Sequence, residues 1–145
     1  MFGKRSQLII IAAVMTLATV PPMYAQSIPY PEMPKTYQDT IKLFPANLQS
    51  GFFGLYTTLS YTGSEGTALD LIHMYYRVHW LKENYIIKGR GSEVMDNGRT
   101  VMEAYTQGRA GLLAQIPITR MMASFLGNPG GTNWDVWQQR LMEWM

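Results

Sequence analysis

Thr67 to Lys88 reads TALDLIHMYYRVHWLKENYIIK, and the way this stretch folds decides the class of the whole chain. It is the longest run after residue 25 without Gly or Pro, and it holds both histidines. Thr67 to Asp70 fits a capping box, with a hydroxyl at the N-cap and an acid three residues on. Asp70 also sets negative charge at the positive end of the helix dipole. Gly89 stands where a left-handed residue closes a helix, with Lys88 in the last turn. Leu71, Met74, Tyr75, Val78, Leu81 and Tyr85 recur at helical spacing as one apolar stripe.

A short β-hairpin over 72–87 is the rival reading. Ile72, Met74, Tyr76, Val78 and Trp80 alternate with His73, Tyr75, Arg77 and His79, and Lys82-Glu83-Asn84 can turn the chain into Tyr85-Ile86-Ile87. Stop signals at both ends, and a span beyond ordinary strand length, favour the helix. The choice bears on chemistry. On a helix the two histidines point about 120 degrees apart and cannot share a metal; on a strand they share a face with Tyr75 and Arg77.

Upstream, Lys4 and Arg5 precede an uncharged run, Leu8 to Val20 (LIIIAAVMTLATV), then Pro21-Pro22 and Met23-Tyr24-Ala25. This is the three-part pattern of a secretory signal peptide, residues 1–25, cleaved after Ala25. The alternative is a retained single-pass anchor in the inner membrane. The run is shorter than the roughly 20 residues of a membrane span. Residues 1–25 carry Lys4 and Arg5 and no acid, so their removal leaves ten basic residues against ten acids, net zero. The expected location is therefore periplasmic or secreted, and bulk charge gives no pull towards nucleic acid. Absence of cysteine rules out disulfides, so the exported chain must hold itself by packing or by assembly. Charged residues make up 15% of the chain, below the usual quarter or so. Such a surface suits one partly covered by partners.

Gln26 to Lys35, QSIPYPEMPK, is a Pro-rich arm that resists helix. Residues 36–145 read as one helical domain of four or five helices. Thr36 to Phe44 forms a short helix ended by Pro45. Leu48, Phe52, Leu55, Tyr56 and Leu59 continue at helical spacing behind Asn47 as cap. Gly51 and Gly54 weaken that helix, or admit another backbone or lipid at close range. Thr57 to Thr62 (TTLSYT) is more strand-like. Ser92 caps a second long helix with Val94, Val101, Tyr105, Leu112 and Ile116 on its apolar side, and Pro117 kinks or breaks it before Ile118 to Leu126. Gly127-Asn128-Pro129-Gly130-Gly131 is a firm stop.

The last helix, 133–145 (NWDVWQQRLMEWM), sets Trp134, Trp137, Leu141 and Trp144 on one stripe. It docks either on its own core or, since Trp is enriched at interfaces, on a partner or a membrane surface. This stripe is the candidate interface.

Chemical motifs are sparse. Ser64, His73 and Asp70 can be assembled into a triad only as any chain with these common residues allows. Glu65 with Glu83 or Glu103 offers carboxylate pairs for a hydrolase. No metal site or cofactor signature emerges, and the methionine pair Met121-Met122 reads as core rather than a copper site. The expectation is a mainly α, exported cell-envelope protein that acts as a structural or accessory subunit, with other envelope proteins as partners, in a homo- or hetero-oligomer. The alternatives are a periplasmic or secreted hydrolase and a membrane-anchored subunit.

Overall fold

A computed structural model describes residues 28–145. The signal peptide expected at residues 1–25 lies outside the described residues. Five α-helices follow in order: α1 (Tyr37–Ile41), α2 (Ala46–Thr62), α3 (Glu65–Leu81), α4 (Val101–Phe125) and α5 (Trp134–Trp144), with a π-helical turn at Lys82–Ile86 after α3. The described residues divide into two compact units. The larger joins Tyr30–Gly91 to Val101–Met145; the smaller joins Ile28 and Pro29 to the loop Ser92–Thr100.

The decisive stretch is helix, and no strand forms among the described residues. The hairpin over 72–87 is therefore not what the chain adopts. The start is one turn earlier than the capping box indicates. Ser64 is the N-cap, its hydroxyl accepting from the Thr67 backbone N–H at 3.0 Å, and Glu65 occupies the first turn. The buried stripe is also rotated from the one expected. Ala68, Ile72, Tyr75, Val78 and Leu81 face the core, while Met74 is 46% exposed. At the far end the helix widens by one residue. The Ile87 N–H reaches back to the Lys82 carbonyl (3.0 Å), and the Asn84 side-chain amide donates to the Trp80 carbonyl (3.0 Å) that an α-helical N–H would otherwise take. Gly89, at φ +73°, then closes it.

The stretch TTLSYT is the last turn and a half of α2, not a strand. Pro45, rather than Asn47, stands at the N-cap of α2. The second long helix starts at Val101, not behind Ser92, so Val94 falls in the loop and is exposed. In that loop Ile28 pairs with Met95, and Val94 with Thr100, as isolated bridges around Gly98 at φ +85°. Pro117 does not break α4. A proline inside a helix costs about 3 kcal/mol through its missing N–H and a clash one turn back. Burial of Leu112, Ile116, Thr119 and Ala123 on either side offsets that.

The core of the larger unit is built from α2, α3, α4 and α5. Phe44, Leu48, Phe52, Leu55, Ile72, Tyr75, Leu112, Ile116, Trp137 and Leu141 form one cluster. Tyr75 lies at its centre, fully buried, with its hydroxyl donating to the Leu112 carbonyl at 3.0 Å. That bond ties α3 to α4, and burial holds the phenol well above its ordinary pKa.

Candidate functional site

The Trp stripe of α5 faces inward. Asn133 caps the helix, and Trp134, Trp137 and Leu141 are buried at 7%, 3% and 0% exposure. Trp144 stays half-buried, stacked on His79 with ring centroids 3.9 Å apart. The expected interface residues therefore pack on their own domain, leaving only the edge of Trp144 towards solvent. Burying one such side chain stabilises by about 1.5–3 kcal/mol. Lifting the whole stripe would cost about as much as a domain's entire stability of roughly 5–15 kcal/mol.

The end of α5 is tied down as well. A helix leaves its last four carbonyls without intrahelical partners. Here each receives a side-chain donor from α3, the π turn or α4. Arg109 donates to Met142 (2.9 Å), Lys82 to Glu143 (3.0 Å), the His79 Nδ1–H to Trp144 (2.8 Å) and the Tyr105 hydroxyl to Met145 (2.8 Å). The cationic donors also match the negative end of the helix dipole. These contacts occupy Arg109 and His79.

Both imidazoles have pKa values below the ordinary 6.5. For His79 burial is the larger cause, opposed by the Trp144 carbonyl and by Glu83. For His73 burial comes first and the Arg77 charge adds to it, while Asp70 and the Pro34 carbonyl act the other way. A lowered folded pKa means that the unfolded chain binds more protons near pH 6, so stability rises with pH across that window. The melting temperature is expected to be level above pH 6.5, the model-imidazole value, and to fall as the pH drops below it, still above the carboxylate range near about 4. His79→Gln keeps a donor for Trp144 and should flatten part of that fall. A melting temperature independent of pH between 7 and 5 would remove the assignment.

Among the described residues, two surfaces are candidates for contact. The first is the outward side of α4. From Ala110 to Phe125 its exposed positions carry no charge, and Ile118, Met121 and Phe125 are exposed at 56%, 55% and 82%. Arg120, the one charged residue in this span, reaches Asp135 of α5 at 2.8 Å. The face runs about 22 Å at 1.5 Å per residue. Contiguous exposed apolar surface of this kind marks contact sites.

The second is an open groove of about 570 Å³ between the Pro-rich arm, Tyr30 to Lys35, and the exposed side of α3, where Gly66, Leu69, Asp70, His73 and Arg77 line it. The arm runs antiparallel to the helix. Tyr30 lies against Trp80 (6.3 Å between centroids) and under the Arg77 guanidinium (5.2 Å), while Pro34 faces His73. The Thr40 hydroxyl donates to the Thr36 carbonyl at 2.7 Å and is hydrogen-bonded to the His73 Nε2 at 3.2 Å.

Two of the catalytic sets offered by the sequence, Ser64 with His73 and Asp70, and Glu65 with Glu83, are not brought together. Ser64 is committed to capping α3 through Thr67, and His73 to Thr40. Glu65 opens α3 and Glu83 lies in the π-helical turn that follows it, about 27 Å apart along the axis, beyond the roughly 10 Å limit for a glycosidase pair. His73 and His79 serve separate sites, as helical spacing requires. Among the described residues no group of three or more His, Cys, Asp or Glu is disposed to hold a metal ion, and no helix is long and apolar enough to cross a membrane. The chain matches no protein-family model, no curated protein and no solved structure.

Proposed function

We propose that this protein is an exported accessory subunit of a cell-envelope assembly, periplasmic or secreted, which acts through protein–protein contact rather than catalysis. The observation that carries this reading is the uncharged outward face of α4, with Ile118, Met121 and Phe125 held in solvent. Exposing three large apolar side chains on one stripe is costly for a domain that works alone, and covering them with a partner recovers the apolar burial. The N-terminal pattern of residues 1–25 and the net-zero remainder support export. The contact surface is α4 rather than the Trp stripe, because α5 is already spent on the core.

The test is recovery of the native protein, with whatever accompanies it, from membrane and soluble fractions. The wild type is expected to begin at Gln26 and to run in a stable complex. Ile118→Asp with Phe125→Asp should abolish that complex while changing stability by no more than about 0.5 kcal/mol, since both positions are exposed. A protein that runs alone from both fractions, or a double variant that keeps its partners, would overturn the proposal. An N-terminus at Met1 would point to a retained anchor instead.

A further inference from the structure

The geometry points to a second, independent activity: the groove between the Pro-rich arm and α3 is a binding site for a small organic carboxylate, held by Arg77. Arg77 is the half-buried charge of the groove, whereas Glu32, Lys35 and Asp70 around it are exposed. Charges open to water are screened, and those set into the protein are much less so. The floor of the groove is therefore cationic in effect even though its lining holds two acids and two bases. Among the described residues no ion pair involves Arg77, and its buried Nε has no hydrogen-bond acceptor. A carboxylate in the groove, bound across the two Nη groups, would give this guanidinium a counter-ion, a planar match that arginine makes and lysine does not.

The guanidinium is held for this by the Tyr30 ring. His73, four residues earlier on the same face, has its pKa lowered by burial first and by the Arg77 charge second. Leu69, Met33, Pro31 and Pro34 supply an apolar wall beside the charge. This composition fits a monoanion with an apolar body. A phosphate dianion has no apolar part to place there and would meet Glu32 and Asp70 at the rim. The volume lies within the roughly 300–1,000 Å³ range of small-ligand sites, the scale of an acylated amino acid.

N-acetyl-leucine, N-acetyl-leucinamide and inorganic phosphate are the probes, followed by NMR of the Arg77 Nε and the His73 ring. N-acetyl-leucine is expected to bind saturably, to shift both signals, and to raise the His73 pKa because the bound anion offsets Arg77. The uncharged amide should bind about tenfold more weakly or worse, a change of about 1.4 kcal/mol. Arg77→Gln should lose the acid to the same degree, and Arg77→Lys should recover only part. The comparison of acid with amide in the unmodified protein decides the matter even if Arg77→Gln fails to fold. Equal binding of acid and amide, shifts that do not saturate, or phosphate binding more tightly than the acid would each overturn the assignment. None of these outcomes depends on whether α4 docks a partner.

Discussion

Trp137→Ala is expected to remove about 3–5 kcal/mol of stability, the range for a large aromatic deleted from a core. The residue is 3% exposed, and its ring sits edge-on to both Phe52 (5.1 Å) and Trp134 (5.6 Å). Its indole N–H donates to the Leu48 carbonyl at 2.9 Å. Truncation leaves a cavity where α5 meets α2, and the flat surface above Gly51 has nothing to replace the ring. That is a large share of a total of roughly 5–15 kcal/mol. Urea denaturation followed by far-ultraviolet circular dichroism measures this as a lower midpoint with little change in slope. A variant that keeps its midpoint but loses a partner would mean that the Trp stripe is the docking surface and not the core.

Gly51→Ala should cost a similar amount, about 3 kcal/mol, at the upper end of overpacking penalties. At an ordinary helix position the same change is favourable by about 1 kcal/mol. Here a Cβ would run into the Trp137 indole, and into ring atoms rather than the tip of a flexible chain. The ring cannot retreat without breaking its bond to Leu48 and its contact with Phe52. Gly111→Ala is the control, since a Cβ there meets nothing within 4 Å; that variant should gain up to about 1 kcal/mol. Combining Gly51→Ala with Trp137→Ala should cost far less than the two penalties together, because the methyl then enters the space the indole left. Additive losses in that cycle would show that Gly51 is constrained by something other than the ring.

These two residues show how far local pattern carries. Gly51 reads from the sequence as a weak spot in a helix or as a place of close approach, and nothing local names Trp137, 86 positions away, as the side chain approaching. The spine 67–88 was legible as helix through its end signals and its length, although both the 3.6-residue and the two-residue periods fit its apolar residues. Its exact face was not. Leu71 and Met74 were as apolar as Ile72, and the neighbours that choose between them lie on α2 and α4. TTLSYT has β-branched residues that favour strands in isolation, but Thr58 is buried on α2 and the local preference yields to that packing. Ser92 offered a valid cap, yet Gly98 at φ +85° and the Val94–Thr100 bridge hold the chain in a loop until Val101.

The candidate surfaces divide in the same way. The Trp stripe was visible as a stripe, since helical spacing is a property of the sequence alone. Whether it faced inward was a property of the partner surface, and α2 supplied one by placing Gly51 and the Leu48 carbonyl beneath the indole. The α4 face and the Arg77 groove were not legible. An exposed Phe125 and a buried Phe52 are the same residue type, and only the packing of α4 against its neighbours separates them.

The sequence by itself determined the mainly helical class and the firm breaks at Pro45 and at Gly127 to Gly131. Each of these follows from backbone preference or from hydrogen bonds within a few residues. The tertiary structure alone decided which face of each helix is buried, how the end of α5 is tied down by Arg109, Lys82, His79 and Tyr105, and which charges are set into a groove rather than screened by water. Those outcomes depend on groups brought together from distant positions. Their energies come from desolvation and close packing, which no local window of residues contains.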